Sequence, residues 1–141
     1  MNNYLKTKFS AKSINESLAR IIVSGFIMPL DPTIETLSEI KTAVSEAVTN
    51  AIIHGYEGGE GIVEMELILE ENNLTVKVSD KGVGILDINR AREPLYTSKP
   101  ECDRSGMGFT IMESFMSEFS VISKPGKGTT VHMRRKLQRR K

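Results

Sequence analysis

Apolar residues change their spacing along the N-terminal third of the chain, from loose alternation at residues 4–9 to helical spacing after them. The alternating segment predicts a first strand. Ser13 and Glu16 have the spacing of a capping box at the start of a first helix, which Pro29 is expected to end. The apolar face that this helix is expected to bury consists of Ile14, Leu18, Ile21, Ile22 and Gly25.

A second segment with helical spacing follows. Asp31 and Pro32 predict its cap and first turn, and Gly55 predicts its C-terminal end. Its expected buried stripe consists of Leu37, Ile40, Val44, Val48, Ala51 and Ile52.

Two hairpins account for most of the remaining chain. The first joins residues 62–70 to residues 74–79, and the second extends from residue 119 to residue 137. Between them, residues 92–108 have no sustained period and predict a lid, and a short helix follows at residues 109–116. Because short turns imply antiparallel pairing, the sequence predicts an α+β fold, a two-layer sandwich with helices on one face of a mostly antiparallel sheet.

Length and charge limit the number of domains and the kinds of partner. The 141 residues predict a single domain over residues 1–141. Six of the 19 basic residues lie in a tail at residues 134–141, which we expect to be a frayed, solvated end rather than a contact site for an acidic partner. The rest of the chain carries 13 basic and 18 acidic residues, a net charge of −5, so we expect no nucleic-acid partner.

Cysteine content and hydropathy indicate a cytoplasmic protein. Cys102 is the only cysteine, so no intrachain disulfide can form, which fits a reducing compartment. The longest uncharged stretch, residues 21–30, is too short to span a membrane, and the N-terminal residues have no apolar region typical of a signal peptide.

Glu46, Asn50 and His54 share one face of the second predicted helix, at successive intervals of four residues. The Asn50 carbonyl together with phosphate oxygens would suit Mg²⁺, and Glu46 could accept a proton from an attacking hydroxyl. On its own this pattern is more typical of a solvated helix face. His54 is interpreted as a helix-end residue, because no Cys or second His lies at metal-ligand spacing.

Three glycine-containing segments are candidate ligand loops. Asp80, Gly82 and Gly84 follow a predicted strand, where the glycines would allow close approach to a flat ligand and the Asp could accept from an exocyclic amine. The alternative is a capped turn. Gly106 and Gly108 precede the last helix and predict an anion site, or else a simple junction. The third segment, residues 126–130, could be an ordinary hairpin turn.

Taken together and in this order, the clusters resemble the Bergerat ATP-binding fold of gyrase, Hsp90, histidine kinases and MutL. The N box matches residues 46–51, and the glycine boxes match residues 80–84, 106–108 and 126–129; the likeness covers roughly residues 33–137. The runs at residues 2–4, 45–56 and 105–110 resemble the small stand-alone serine kinases that act as anti-sigma factors in spore-forming bacilli. The other branches require further domains or a helical hairpin that carries a phospho-accepting histidine.

The resemblance implies a Mg²⁺- and ATP/ADP-binding kinase with two protein partners. It would keep a sporulation sigma factor from RNA polymerase and phosphorylate a serine of an anti-anti-sigma protein, as a homodimer. By this resemblance Glu46 is the catalytic base, Asn50 the Mg²⁺ ligand and Asp80 the adenine-reading residue. The residues expected to complete the nucleotide site are Gly82, Gly84, Gly106, Gly108 and Thr129 or Thr130.

Two other functions stay open on the sequence. One is a nucleotide-gated binding module with negligible phosphotransfer, and the other is a detached histidine-kinase catalytic domain. For the protein partners, we expect Glu16 and Arg20 to lie one turn apart on the exposed face of the first helix. They would form either a docking surface or a simple surface ion pair.

Overall fold

The fold is known from a computed structural model, which describes residues 2–85 and 108–138. Within these ranges the strands are β1 (Asn3–Ser10), β2 (Ile62–Glu70), β3 (Asn73–Asp80), β4 (Glu118–Lys124) and β5 (Gly128–Lys136). The helices are α1 (Asn15–Ile27), α2 (Ile34–Thr49) and α3 (Gly108–Phe115), with a 3₁₀ turn at Met28–Leu30 and a π-helical turn at Asn50–Gly55. The predicted order of elements is confirmed for these residues.

The described strands form one sheet in the order β1-β2-β3-β5-β4, and every neighbouring pair is antiparallel. Alternate residues of the central strands are buried under the helices, as expected for a sheet with one covered face. The opposite face carries cross-strand ion pairs such as Lys6 with Glu64 and Lys77 with Glu66. The predicted two-layer α+β sandwich is therefore confirmed.

The buried face of α1 differs from the prediction. The fully buried residues are Ala19, Val23 and Ile27, which pack towards α2, whereas Ile14 is 79% exposed. Of the other predicted core residues, Leu18, Ile21 and Gly25 are exposed and Ile22 is half-buried. The helix has two apolar stripes, and the stripe that contains the small Ala19 packs against α2.

Both predicted helix caps are wrong. The N-cap position of α1 is Ile14, which makes no side-chain capping bond, so Ser13 and Glu16 form no capping box. The cap of α2 is Thr33, whose hydroxyl oxygen accepts from the backbone N–H of Thr36 at 3.1 Å. Thr33 has the extended backbone that an N-cap requires, whereas Asp31 has φ 48° and ends the preceding 3₁₀ turn.

The C-terminal basic segment is partly built into the sheet. Arg134, Arg135 and Lys136 are the last residues of β5, so this part of the expected frayed tail is ordered strand. Residues 139–141 lie outside the described residues. Among the described helices, none has the length and apolar character needed to cross a membrane.

Candidate functional site

The polar face of α2 ends in a change of helix type. Glu46 and Asn50 are half-buried one turn apart, and the Asn50 N–H donates to the carbonyls of Ala47 and Glu46. From Asn50 the chain continues as a π-helical turn that contains His54 and ends at Gly55. π-Helical turns within helices often mark functional sites, because the wider turn redirects side chains.

The N-terminus of α3 lies beside the predicted catalytic base. A Cβ atom built on Gly108, the first residue of α3, would lie 3.3 Å from Oε2 of Glu46. The structure thus brings two of the predicted site residues together from distant parts of the sequence. Gly106 and the predicted lid up to residue 107 lie outside the described residues.

Asp80 is the most buried ionisable residue of the site, at 6% exposure. It is the last residue of β3, and its Oδ1 accepts from the Gly82 N–H at 2.9 Å. Burial raises the pKa of Asp80, while hydrogen bonds from the backbone N–H groups of Gly82 and Thr129 act in the opposite direction. The Asp80 carboxylate therefore has a fixed orientation and little contact with water, and it is suited to accept a hydrogen bond from a ligand.

The glycines that follow Asp80 are required by the protein's own backbone. A Cβ on Gly82 would lie 1.8 Å from the carbonyl oxygen of Gly55, and a Cβ on Gly84 would lie 2.1 Å from that of Lys124. Gly84 also has φ +78°, which disfavours other residues. These glycines therefore let the loop pack between the end of the π-helical turn and the β4–β5 turn. The predicted role of these glycines in the approach of a flat ligand stays a prediction.

The two candidate threonines of β5 lie on opposite faces of the sheet. Thr129 is buried opposite Asp80 in the strand register, and its hydroxyl is 2.7 Å from that of Ser123. Thr130 is paired with Ser79 instead, and their hydroxyl oxygens are 3.0 Å apart on the face away from the helices. The structure therefore brings Thr129 to Asp80 and does not bring Thr130 there.

Two further residues, neither of them among the predicted site residues, hold the Asp80 loop in place. The Tyr56 hydroxyl accepts from the Lys81 N–H at 2.8 Å and donates to the Ile62 carbonyl at 2.6 Å. The Ser123 hydroxyl accepts from the Ile85 N–H at 2.7 Å. The Tyr56 ring lies against Gly61, where a Cβ would lie within 2.6 Å of it, and this contact between separate positions has no signal in the sequence.

Glu16 and Arg20 of α1 do not form the expected pair. Oε1 of Glu16 accepts from the hydroxyls of Thr49 at 2.6 Å and Ser45 at 3.3 Å, so this carboxylate faces α2 rather than the outer surface. Among the described residues, the Arg20 side chain bonds only within its own helix, where it donates to the Ser17 hydroxyl at 3.3 Å. It also lines a groove of about 540 Å³, whose walls are Ser17, Arg20, Ile21, Ser24, Gly25 and Lys41.

Within residues 2–85 and 108–138, no group of three or more His, Cys, Asp or Glu side chains could hold a metal ion. The predicted Mg²⁺ site does not depend on such a group, because it uses the single amide oxygen of Asn50 and the phosphates of a nucleotide. Asn50 is half-buried and lies one turn from Glu46, so a hard oxygen ligand is present where the cation is expected. The described residues therefore fit a Mg²⁺ ion that arrives with its nucleotide.

Comparison with known proteins defines the class. The family model described as "Histidine kinase-like ATPase domain" matches residues 10–135, so the chain belongs to that family. In solved structures, the fold resembles the RsbU and RsbW domains of Rv1364c from Mycobacterium tuberculosis, with a TM-score of 0.71 and 20% identity over 98% of this chain and 33% of that chain. At this identity the likeness concerns the fold alone.

Comparison with curated relatives defines the class of protein more narrowly. The chain is 58% identical over 138 residues to the anti-sigma F factor of Bacillus cytotoxicus, which covers 97% of this chain and 94% of the relative. It is 57% identical, with the same coverage, to the anti-sigma F factor of Bacillus thuringiensis strain Al Hakam. The chain therefore belongs, within the histidine kinase-like ATPases, to the anti-sigma F factors, and the resemblance noted in the sequence is confirmed.

Proposed function

We propose that this protein is a Mg-ATP-dependent protein-serine kinase that also binds a sporulation sigma factor and keeps it from RNA polymerase. The names of the 57–58% identical relatives support the sigma-factor partner. The observation that carries the kinase proposal is the assembly of Asp80, Glu46 and Asn50 around the end of α2, with the backbone of Gly55 packed against the Asp80 carboxylate.

Asp80 reads the adenine base in this proposal. Its carboxylate is buried, accepts from Gly82, and has Thr129 opposite it on β5. The exocyclic amine of adenine is a donor that suits this acceptor. Loss of a charge-assisted hydrogen bond costs about 1.5–3 kcal/mol, so Asp80→Asn should weaken adenosine and ATP binding by roughly ten- to a hundredfold.

The phosphate end of the site lies between α2 and α3. We assign Asn50 as the Mg²⁺ ligand. The backbone at the N-terminus of α3, at Gly108, lies beside Glu46 and would contact the phosphates. The bound cation would neutralise charge on the phosphate oxygens during transfer. Asn50→Ala should therefore shift the magnesium titration of ATP binding to higher concentration and leave adenosine binding unchanged.

Glu46 acts as the general base. The hydroxyl of the substrate serine attacks the γ-phosphorus, the bond from this phosphorus to the bridging oxygen of ADP breaks, and Glu46 takes the hydroxyl proton. The half-buried position of Glu46, next to the first residue of α3, supports this role, because the phosphates are proposed to bind there. The substrate is a serine on a folded anti-anti-sigma protein.

The protein partners dock on the groove beside α1. Arg20 and Lys41 line this groove together with two serine hydroxyls, so it presents two cations to a partner. An acidic side chain on a partner would fit, because the Arg guanidinium binds carboxylates with paired hydrogen bonds. Glu16 is not part of this surface, since its carboxylate is bonded to α2. The family resemblance also implies a homodimer, which analytical ultracentrifugation would test.

The decisive experiment uses γ-labelled ATP with Mg²⁺, the sigma factor and the candidate anti-anti-sigma protein. We expect label on one serine of the anti-anti-sigma protein, stable in acid and strongly reduced with Asp80→Asn at ATP concentrations near the wild-type dissociation constant. Label that is lost in acid would indicate phosphohistidine and a detached histidine-kinase domain. ATP binding and sigma-factor binding without any label transfer would indicate a nucleotide-gated binding module, and would contradict the kinase proposal.

A further inference from the structure

The short helix α3 packs antiparallel to α2, and a polar group lies at each end of α3. At its N-terminus, a Cβ on Gly108 would lie 3.3 Å from the Glu46 carboxylate. At its C-terminus, the carbonyl of Phe115 accepts from Nη1 of Arg135 at 2.8 Å, and the same Nη1 lies 2.7 Å from Oε1 of Glu39. Glu39 and Glu46 are seven residues apart on α2, and Gly108 and Phe115 are seven residues apart on α3. The two contacts therefore have the same spacing on both helices.

Arg135 occupies a position on β5 that the strand's alternation assigns to the core. Its neighbours on that face, Met133 and Leu137, are both buried, and the Arg135 side chain is only 16% exposed. A guanidinium with so little exposure requires acceptors, and Arg135 has two, the Glu39 carboxylate and the Phe115 carbonyl. By contrast, the adjacent Arg134 lies 3.9 Å from Glu118 with 42% exposure.

The position of α3 depends on contacts of this kind. An isolated helix of eight residues is unstable in water, so its placement comes from packing and from the bonds at its ends. The last carbonyls of a helix have no partner within the helix, and Arg135 satisfies the one at Phe115. The arginine thereby links the C-terminal end of α3 to both β5 and α2.

We propose that Arg135 is a positioning residue for the phosphate end of the nucleotide site. By holding the C-terminal end of α3 against Glu39, it keeps the other end of the same helix, at Gly108, beside Glu46. This inference rests on the proposed function, in which the nucleotide phosphates bind at that end. The two halves of the nucleotide then depend on different residues. Arg135 affects binding of the phosphates through the position of α3, and Asp80 binds the base.

The test compares the affinities of ATP and adenosine, measured by calorimetry on the full chain. Arg135→Met should weaken ATP binding roughly 3- to 30-fold and leave adenosine binding unchanged. Arg135→Lys keeps a charge opposite Glu39 but lacks the planar fork, so its ATP affinity should lie between those of the wild type and Arg135→Met. A structural role alone would weaken both ligands equally or change only the melting temperature.

Matched controls come from the neighbouring ion pair. Arg134→Met and Glu118→Gln remove equivalent groups from the open face and should change neither affinity. If Arg135→Met does not fold, Glu39→Gln, which retains the arginine, should reproduce the selective loss of ATP affinity. An unchanged ratio of ATP to adenosine affinity in Glu39→Gln and the Arg135 variants would overturn the inference. Failure of the wild type to bind ATP, or full adenosine affinity in Asp80→Asn, would instead overturn the proposed function.

Discussion

The backbone of Gly55 is packed directly against the side chain of Asp80. A Cβ atom at Gly55 would lie 2.6 Å from Cγ and 2.7 Å from each carboxylate oxygen of Asp80. Gly55 ends the π-helical turn that continues α2, and Asp80 ends β3. This contact fixes the distance between the helix that carries Glu46 and Asn50 and the carboxylate proposed to read adenine.

Gly55→Ala should therefore damage both stability and nucleotide binding. The added methyl group would displace a buried carboxylate that is held by the Gly82 N–H, and overpacking of this kind costs about 1–3 kcal/mol of unfolding free energy. We expect adenosine affinity to fall by about tenfold as Asp80 moves. Chemical denaturation and calorimetry measure the two effects.

The matched control is Gly25→Ala in α1, where an added Cβ meets no atom within 4 Å. This variant should be as stable as the wild type or up to about 1 kcal/mol more stable, because alanine is the better helix former. Wild-type adenosine affinity in Gly55→Ala would contradict the role assigned to the contact.

Adenosine binding should weaken as the pH falls through the raised pKa of Asp80. Because burial raises this pKa above the ordinary value of 3.8, the folded protein retains the proton at pH values where the unfolded chain has lost it. The stability that this group contributes is complete below the unfolded pKa and is lost as the pH rises through the folded pKa. Bound adenosine favours the ionised form of Asp80. The affinity for adenosine therefore increases as the pH rises, whereas the stability contributed by Asp80 decreases.

Calorimetry of adenosine binding from about pH 4 to pH 7 measures this dependence, and adenosine is used because it carries no phosphate that titrates in that range. The Asp80→Asn variant should lack the step. A wild-type affinity that is constant over the whole range would exclude the carboxylate as the acceptor for the base.

The antiparallel hairpins and the order of elements along the chain could be predicted because alternation and short turns are local signals. The hairpin of β2 and β3 follows from residues 62–70 and 74–79 alone, and the observed strands match these limits within one residue. The order of the polar clusters likewise identified the class of site. These features depend on spacing along the chain, which the sequence contains in full.

Other features depend on contacts between distant segments. α1 has two apolar stripes, and only its packing with α2 decides that Ala19 is buried and Ile14 is exposed. The hydrogen bond that the Thr49 hydroxyl donates to Glu16 joins two helices, so the local capping pattern was misleading. Arg135 offered a usable signal, because a basic residue at a core-facing position of an alternating strand requires a partner.

Glu46→Gln should retain Mg-ATP binding and transfer phosphate more slowly. The amide has nearly the same shape but cannot take the proton of the attacking hydroxyl, and loss of a general base typically reduces the rate by about 10²–10⁴-fold. Glu35→Gln, an exposed substitution in the first turn of the same helix, is the control and should leave the rate unchanged. Single-turnover kinetics with labelled ATP measures the step, and equal rates for Glu46→Gln and the wild type would rule out the base.

Arg20→Glu should weaken both protein complexes without a change in the nucleotide site. In the part of the chain that the structure describes, the Arg20 side chain bonds only to Ser17 of its own helix, so its replacement removes little stabilising contact. The melting temperature should therefore stay near that of the wild type. Arg20 and Lys41 are the two cations of the groove, and the substitution replaces one of them with an anion, which would repel an acidic partner.

The control for net charge is Lys12→Glu, which reverses the charge of an exposed residue just before α1. If both partners use the groove, they compete for it, and surface plasmon resonance should record about tenfold or greater loss for each. Full affinity of Arg20→Glu for either partner would exclude that partner from the groove.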